Sequence, residues 1–335
     1  MKKLLSVLLA FTILLFAAAC GQSGSPSSAA GGSTPEDGGE KPTQVGIIQL
    51  ADNGAFTDMR EGFISRMREL GYTEGKMEFD YKNAQGDMSN LNSICQEMAS
   101  AKKDFIVAIA TPAAQAIVNL DCGIPVFFIS VSNPVGAGII TDMNKPDKNA
   151  TGTSNAIPVD EIFKLSAKLT PQVKSYGILY NTGEVNAATT AKAAMEYLKS
   201  QGIDYKEAVV TSSSEVQQAA QSLAGSVDAI FVPNDSMIQS AMPQVAEVAK
   251  EAKIPVYGSS AVMVNSGAFA TISIDDPTIG AMTADMAVQY MNGTPIEEIP
   301  SVVVSQFTTV INKTTASAIG AELSGETLST AVVVE

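Results

Sequence analysis

The chemistry open to this chain is limited by what the sequence lacks, because its 335 residues contain no histidine and only three cysteines. Histidine is the commonest general base and the commonest transition-metal ligand in proteins. The sequence also contains no G-x-S-x-G nucleophile motif, no Walker phosphate loop and no Cys/His cluster suited to zinc. We therefore predict no catalytic residues, no cofactor and no metal site. A His-free enzyme that uses carboxylates alone is kept as an alternative.

Polar side chains follow most of the short apolar runs of the sequence. In open parallel sheets, ligands bind beyond the carboxyl ends of the strands, where helices begin, so these side chains are candidate ligand contacts. They are Gln49, Thr111, Gln115, Ser130, Ser132 and Asn133 in the first half, Asn181, Glu184, Asn186, Asn234, Asp235, Ser259 and Ser260 in the second, and then Asp275 and Asp276. Taken singly, most of these residue types are also good helix N-caps.

Such a set of side chains predicts a cleft with many hydrogen-bonding groups and few charges, which suits a small polar or zwitterionic solute. The helix start at 111–115 would receive a carboxylate, and Asp235, Asp275 or Glu184 would receive an ammonium group. Phe56 is predicted at the same edge, where it would stack on an apolar or aromatic ligand side chain.

The elements that must position this edge alternate between short apolar runs and amphipathic stretches, as in repeated strand–helix–strand units. We predict strands at 45–50, 77–82, 105–110 and 124–130, and again at 176–181, 205–210, 228–233 and 254–259. Helices are predicted between them, for example where Ala55, Met59, Phe63 and Met67 recur every four residues before Gly71. This pattern indicates an α/β fold with parallel sheets.

The second half of the chain repeats the organisation of the first. DFIVAIATPAAQ (104–115) and DAIFVPNDSMIQ (228–239) predict the same corner from a strand into a helix. Three pairs of equivalent positions are offset by 131, 124 and 130 residues, namely Gly46 and Gly177, Asp104 and Asp228, and Ile124 and Ile254. We therefore predict two doubly wound parallel-sheet lobes rather than one long sheet.

The chain after Ile254 does not simply continue the second lobe, because 270–275 reads as a strand, 276–293 as a helix and 301–311 as another strand. We expect this segment to cross between the lobes and, with residues 150–157, to form a hinge of two or three strands. The predicted N-terminal lobe is 44–153 plus about 276–298, and the predicted C-terminal lobe is 154–275 plus about 299–335.

The N-terminus has the features of a secretion signal, since Lys2 and Lys3 precede an apolar stretch and small residues precede Cys20. Residues 1–20 are predicted as a lipoprotein signal peptide, and their resemblance to the bacterial lipobox implies that Cys20 is diacylated. Residues 21–43 are rich in Gly, Ser and Pro and predict a flexible tether. We expect the protein to be anchored by lipid to the outer face of the cytoplasmic membrane.

The chain is acidic, with 21 Lys and Arg against 35 Asp and Glu and a net charge of -14. This balance disfavours nucleic acids and anionic lipid surfaces as partners. The remaining cysteines, Cys95 and Cys122, either form a disulfide or stay as two separately buried thiols.

Seven sequence blocks closely resemble one protein family. They are NAQGD (83–87), AIATPAAQA (108–116), SNPVGAG (132–138), GTSNAIPV (152–159), LYNTGEVN (179–186), EVQQAAQSL (215–223) and VPND (232–235). The family is that of the tryptophan/tyrosine-type substrate-binding lipoproteins of bacterial ABC transporters, and the resemblance covers roughly residues 44–312. It implies a type I periplasmic-binding-protein-like fold whose two lobes close on a hinge over an amino acid.

The resemblance also implies a set of cleft residues, which are Thr111, Gln115, Ser154, Asn181, Glu184, Asn186 and Asp235. This chain differs from the family at three places. It has Ser132-Asn133 where the family commonly has Thr-Asp, Asn234 where it has Thr, and Asp276 where it has an aromatic residue.

We therefore expect a monomeric solute receptor that binds a small zwitterion, an aromatic or apolar amino acid, and presents it to an ABC permease with its ATPase. A related alternative is a sensor subunit whose closed form engages a membrane receptor. Turnover of a bound solute would instead indicate the exported, His-free enzyme.

Overall fold

The computed structural model describes residues 41–156 and 158–335. The predicted signal peptide, the lipidation of Cys20 and residues 21–40 of the predicted tether lie outside the described residues. No helix within the described residues combines the length and the apolar character needed to cross a membrane.

Strands and helices alternate along the first half of the chain, as the sequence predicts. In order they are β1 (Thr43–Gln49), α1 (Gly54–Glu69), β2 (Met77–Asn83), α2 (Met88–Ser100), β3 (Phe105–Ile109), α3 (Thr111–Val118), β4 (Val126–Ile129) and β5 (Ala150–Ser154). All residues of β3, β4 and β5 are buried, because helices cover both faces of the sheet.

The second half repeats this order and then adds further elements. It contains α4 (Val159–Leu169), β6 (Ser175–Asn181), α5 (Val185–Ser200), β7 (Asp204–Val210), α6 (Val216–Ala224), β8 (Ala229–Phe231), α7 (Ser236–Ser240), α8 (Met242–Ala252), β9 (Val256–Tyr257), α9 (Ala261–Asn265) and β10 (Ala270–Ser273). The C-terminal part contains α10 (Asp276–Met291), β11 (Val302–Val303), β12 (Thr308–Asn312), α11 (Lys313–Ile319), α12 (Gly325–Thr330) and β13 (Val332–Val334).

The strands form two sheets of the same build. The strand order is β11-β5-β4-β3-β1-β2 in the first sheet and β13-β12-β10-β9-β8-β6-β7 in the second. The pairing is parallel except between β10 and β12. The run β2-β1-β3-β4-β5 therefore corresponds strand by strand to β7-β6-β8-β9-β10, and the prediction of two doubly wound parallel-sheet lobes is confirmed.

Each sheet has an apolar core on both of its faces. In the first sheet, α1 and α10 cover one face around Phe63 and Phe127, and α2 and α3 cover the other around Leu91 and Phe128. In the second sheet, α6 and α8 pack on one face, and α4 and α5 pack on the other around Phe163. Cys95 and Cys122 belong to the α2/α3 side, and both are free thiols.

The chain passes between the two sheets three times. The passages follow β5 before α4, β10 before α10 (residues 274–275) and β11 before β12 (residues 304–307). Val302–Val303 pairs with β5, and Ser273 pairs with Thr308, so the three passages run side by side. We refer to them below as the hinge.

The prediction of a single strand over 301–311 is wrong, because this stretch forms β11 in the first sheet and β12 in the second. A continuous apolar run cannot show that its two ends pair with different sheets. The helix predicted between the strands at 228–233 and 254–259 is also divided into α7 and α8, and Pro243 lies in the first turn of α8. Proline at that position starts a helix without losing a hydrogen bond.

Helices α1 and α10 cross at two glycines. A Cβ atom on Gly62 would lie 2.2 Å from the Pro277 carbonyl oxygen, and one on Gly280 would lie 2.0 Å from the Met59 carbonyl oxygen. Only glycine permits such a close approach of two backbones. The crossing fixes the N-terminal part of α10 against the middle of α1.

Candidate functional site

A cavity lies between the two sheets, at the carboxyl ends of their strands. Residues from both sheets and from the hinge line it: Ala55, Phe56, Met59, Ala110, Thr111, Ser130, Ser132, Asn155, Pro158, Asn186, Asn234, Asp235, Ser236, Gln239, Ser259, Ser260, Ile272, Ser273, Ile274, Asp276, Ile279 and Phe307. Ten of the candidate contacts from the sequence are among them, namely Phe56, Thr111, Ser130, Ser132, Asn186, Asn234, Asp235, Ser259, Ser260 and Asp276. The ionisable side chains among the lining residues that the structure describes are Asp235 and Asp276, and neither Lys nor Arg is present.

Thr111 begins α3 at the wall formed by the first sheet. The preceding residue, Ala110, has φ 70° and ψ 164°, a backbone conformation that is usual only for glycine. Its N–H donates to the Ile129 carbonyl oxygen at 2.9 Å. This bond joins the ends of β3 and β4 and holds the strained corner between β3 and α3. The Thr111 hydroxyl is buried and has no hydrogen-bond partner among the described residues. Beside it lie the first N–H groups of α3, which have no acceptor within the helix.

Asn186 lies in the first turn of α5, on the wall formed by the second sheet. Its side-chain N–H donates to the Asn234 carbonyl oxygen at 2.7 Å, and this bond fixes the orientation of the amide. The amide oxygen Oδ1 is buried and accepts no hydrogen bond from the described residues. Leaving a buried acceptor without a donor costs about 1–3 kcal/mol of stability. Asn186 Oδ1 is therefore suited to accept a hydrogen bond from a ligand in the cavity.

Asp235 and Glu184 form a buried acidic pair behind this wall. Asp235 accepts hydrogen bonds from the Asn181 N–H at 2.6 Å and from the Ile238 N–H at 3.0 Å, so it joins the end of β6 to the start of α7. Glu184 accepts from the N–H groups of Ser236 and Met237 at 3.1 and 3.3 Å. Burial raises the pKa of both carboxyls, and with the nearby Asp235 it raises the pKa of Glu184 to about 7.

This pair leads to a pH prediction. The folded-state pKa of Glu184 lies above its ordinary value of 4.5, so the stability linked to its proton is fully present below about pH 4.5 and is lost as the pH rises towards about 7. We expect the free energy of unfolding of the wild type to fall between pH 5 and 8, with a slope of up to about 1.4 kcal/mol per pH unit for one proton.

Urea unfolding of the wild type and of Glu184→Gln at these two pH values measures this effect. The variant should lose less stability than the wild type between pH 5 and 8, whereas Glu196→Gln, which changes an exposed carboxyl on α5, should behave like the wild type. Equal pH dependence in the wild type and Glu184→Gln would contradict the raised pKa.

Asp276 is the first residue of α10 and approaches the cavity beside α1. The structure shows no hydrogen bond or ion pair to its carboxyl from the described residues. Burial, together with the charges of Asp58 and Asp275, raises its pKa to about 8. The Asp276 carboxyl is therefore largely protonated at neutral pH.

Three predicted contacts hold the loop that follows β4. Gln115 donates through Nε2 to the Ala137 carbonyl oxygen at 2.9 Å, and Asn133 accepts from the Gly136 N–H at 2.8 Å. Ser154 donates to the Ser132 carbonyl oxygen at 3.1 Å. These contacts position Ser132, which lines the cavity, while Gln115, Asn133 and Ser154 themselves lie outside its lining.

The remaining predicted contacts also lie outside the lining of this cavity. The Gln49 amide donates to the Ala51 carbonyl oxygen at 2.6 Å and accepts from Arg60 at 3.3 Å. Asp275 is exposed and caps α10 by accepting from the Thr278 N–H at 3.0 Å. Asn181 and Glu184 line a separate opening between the two sheets, beside Gly183 and Ser236.

Several lining residues were not among the contacts that the sequence predicts. Gln239 lies one turn after Asp235 on α7, and its Oε1 accepts from the Ser260 hydroxyl at 2.7 Å. A helical spacing of four from Asp235 is a signal that could have identified it. Asn155 and Phe307 belong to the hinge, and the sequence carries no local signal for their convergence on the cavity.

A cavity enclosed by two similar α/β lobes and three hinge segments defines a two-lobed solute-binding protein. The family described as ABC transporter substrate binding protein matches residues 44–334 of the chain. The chain therefore belongs to the ABC transporter substrate-binding protein family, and the predicted resemblance is confirmed. The chain is 35% identical over 319 residues to the tyrosine-binding protein of Clostridioides difficile, over 95% of this chain and 92% of that protein.

Solved structures of the same build are also similar to this chain at 30% identity or more. The ABC domain in complex with L-Trp from Streptococcus pneumonia has a TM-score of 0.85 at 30% identity, covering 88% of this chain and 100% of that one. The ligand-free, open structure of a substrate binding protein with adhesive properties from Clostridium difficile has a TM-score of 0.69 at 35% identity, covering 88% of this chain and 99% of that one.

Proposed function

We propose that this protein is the extracytoplasmic receptor of an ABC importer and that it binds an aromatic amino acid between its lobes. The observation that carries this proposal is a pair of buried polar atoms on opposite walls of one cavity, the Thr111 hydroxyl and the Asn186 Oδ1, which have no hydrogen-bond partner among the described residues. Buried polar groups in proteins are almost always hydrogen-bonded, so both atoms point to a ligand.

The backbone end of an amino acid fits these two walls. The Thr111 hydroxyl and the N-terminus of α3 would receive the α-carboxylate, because both offer hydrogen-bond donors in a region of positive helix potential. Asn186 Oδ1 accepts hydrogen bonds only, and Asp235 lies on the same wall, so that wall would receive the α-ammonium group. A ligand bound in this way would connect the two lobes.

The side chain of the ligand would lie among apolar groups. Phe56, Met59, Ile279 and Phe307 line the cavity and offer aromatic and polarisable surface for a ring. The relatives support this choice, since one is named as tyrosine-binding and another is solved with L-Trp. The alternatives of a sensor subunit and of an exported enzyme gain no comparable support from these relatives.

The arrangement of the lobes supports binding by closure. The chain is more similar to the L-Trp complex, with a TM-score of 0.85, than to the ligand-free, open structure, with 0.69, although its identity to the latter is higher. We infer that the lobes are in the closed arrangement. A ligand that contacts both lobes stabilises this arrangement over the open one, and the permease with its ATPase would recognise the closed form.

Attachment to the membrane is part of the proposal. A lipid on Cys20 and the tether of residues 21–43 would keep the receptor at the outer face of the cytoplasmic membrane, as a monomer next to its permease. This rests on the sequence pattern of residues 1–43.

A thermal-shift screen of residues 41–335 against the twenty amino acids, nucleosides and sugars tests the function. A specific ligand at 100 times its Kd stabilises the folded state by about 2.7 kcal/mol. We expect tyrosine or tryptophan to raise the melting temperature, and sugars and nucleosides to leave it unchanged. Because the chain contains no Trp, binding of tryptophan can also be followed by the fluorescence of the ligand. If no aromatic amino acid raises the melting temperature, the proposed ligand class is overturned.

A further inference from the structure

We propose that Asp276 selects, among aromatic amino acids, those whose ring carries a hydrogen-bond donor, such as the phenol of tyrosine or the indole of tryptophan. This inference rests on the proposed function and concerns the side-chain end of the same cavity. Asp276 would then be a specificity-determining residue.

The surroundings of Asp276 favour the ring of a ligand as its partner. Asp276 and Ile279 are one turn apart on α10, and the close crossing of α1 and α10 brings them next to Phe56 and Met59. All four line the cavity, so the Asp276 carboxyl and three apolar side chains share the wall formed by α1 and α10. A ring packed on these side chains would present its polar tip to that carboxyl.

The Asp276 carboxyl has no partner in the part of the chain that the structure describes. No hydrogen bond from the described residues reaches it, and the described lining contains no Lys or Arg that could neutralise it. The same cavity offers other groups for the backbone end of the ligand, namely Thr111 for the α-carboxylate and Asn186 and Asp235 for the α-ammonium group. Asp276 is therefore available to contact the side chain of the ligand.

The protonation of Asp276 suits this role. Its raised pKa of about 8 means that the carboxyl is largely neutral at pH 7, when it both donates and accepts a hydrogen bond. A phenol also donates and accepts, and an indole N–H donates. Phenylalanine offers neither, so it would bury the carboxyl without a partner, and a site built around a polar group rejects a ligand that lacks its complement.

Isothermal titration calorimetry with L-tyrosine, L-tryptophan and L-phenylalanine tests the proposal. The wild type should bind tyrosine or tryptophan at least about tenfold more tightly than phenylalanine. Asp276→Leu, which has a similar shape, should lose most of this preference by weakening the binding of tyrosine and tryptophan while keeping that of phenylalanine. Asp276→Asn, which still accepts a hydrogen bond, should retain part of the preference.

Glu69→Gln is the control, since Glu69 is an exposed carboxylate on α1 that does not line the cavity and is not among the charges that raise the pKa of Asp276. It should leave the ratio of the tyrosine and phenylalanine affinities unchanged. Equal weakening of all three ligands by Asp276→Leu would overturn the proposal and assign Asp276 to the shared backbone end. Tight binding of all three by the wild type without preference would also overturn it while leaving the proposed function standing, whereas no binding of any of the three would overturn both.

Discussion

A Thr111→Val variant is expected to bind the ligand about 10- to 100-fold more weakly than the wild type while its unliganded form is as stable or more stable. The substitution keeps the shape of the side chain and removes one hydroxyl. In the described arrangement that hydroxyl is buried and has no partner among the described residues, so its loss removes no hydrogen bond within this part of the protein and lowers the desolvation cost of closing the lobes. In the complex, the same loss removes a hydrogen bond to a charged carboxylate. Calorimetry and thermal unfolding of the unliganded protein measure the two effects.

Thr170→Val provides the matched control, because Thr170 is also a buried threonine but its hydroxyl is hydrogen-bonded to Tyr257 at 2.7 Å and to the Ser166 carbonyl oxygen at 3.1 Å. This variant should lose about 1–2 kcal/mol of stability and bind the ligand with unchanged affinity. If Thr111→Val bound normally, the Thr111 hydroxyl would have no role in recognition.

Gly280→Ala is expected to destabilise the first lobe by about 3 kcal/mol or more, a large effect for a single methyl group. The added Cβ would lie 2.0 Å from the Met59 carbonyl oxygen, and relief requires the two helix backbones to separate. Asp276 lies one turn before Gly280 and Ile279 directly before it, and both line the cavity, so this separation should also weaken ligand binding. Urea unfolding and calorimetry on the same sample measure both losses.

Gly62→Ala should behave like Gly280→Ala, because its Cβ would meet the Pro277 carbonyl oxygen at 2.2 Å from the other side of the same crossing. Gly225→Ala is the control, since its nearest neighbour would be 3.9 Å away and Gly225 ends α6 with ordinary helical angles. It should change stability by less than about 0.5 kcal/mol. Wild-type stability in Gly280→Ala would show that the helices separate at little cost.

The fold was largely predictable because its signal is local and repeated. Each strand that is buried on both faces appears in the sequence as a short apolar run, and the offset between Asp104 and Asp228 reveals the duplication. The exception is the stretch 301–311, whose β-branched residues predict a strand on either side of the hinge. Its division into β11 and β12 depends on which sheet each end pairs with, and that is a long-range property.

The site was predictable only in outline. Thr111 and Asn186 follow strands, as the sequence shows, and both line the cavity with buried atoms that have no partner among the described residues. Glu184, in contrast, accepts hydrogen bonds from the backbone at the start of α7. Sequence alone cannot distinguish a buried carboxyl that stabilises the backbone from one that contacts the ligand. Whether Glu184 or Gln115 also contacts the ligand stays a prediction.

The three parallel hinge segments have a consequence for the energetics of trapping a solute. Three short connections that run side by side restrict the lobes to rotation about essentially one axis. A single connection would let each lobe rotate freely relative to the other. Little orientational entropy is then left to lose on capture, so more of the contact energy appears as affinity. Phe307 and Asn155 lie in these connections and also line the cavity. A solute that contacts them would therefore oppose opening of the lobes at the hinge itself.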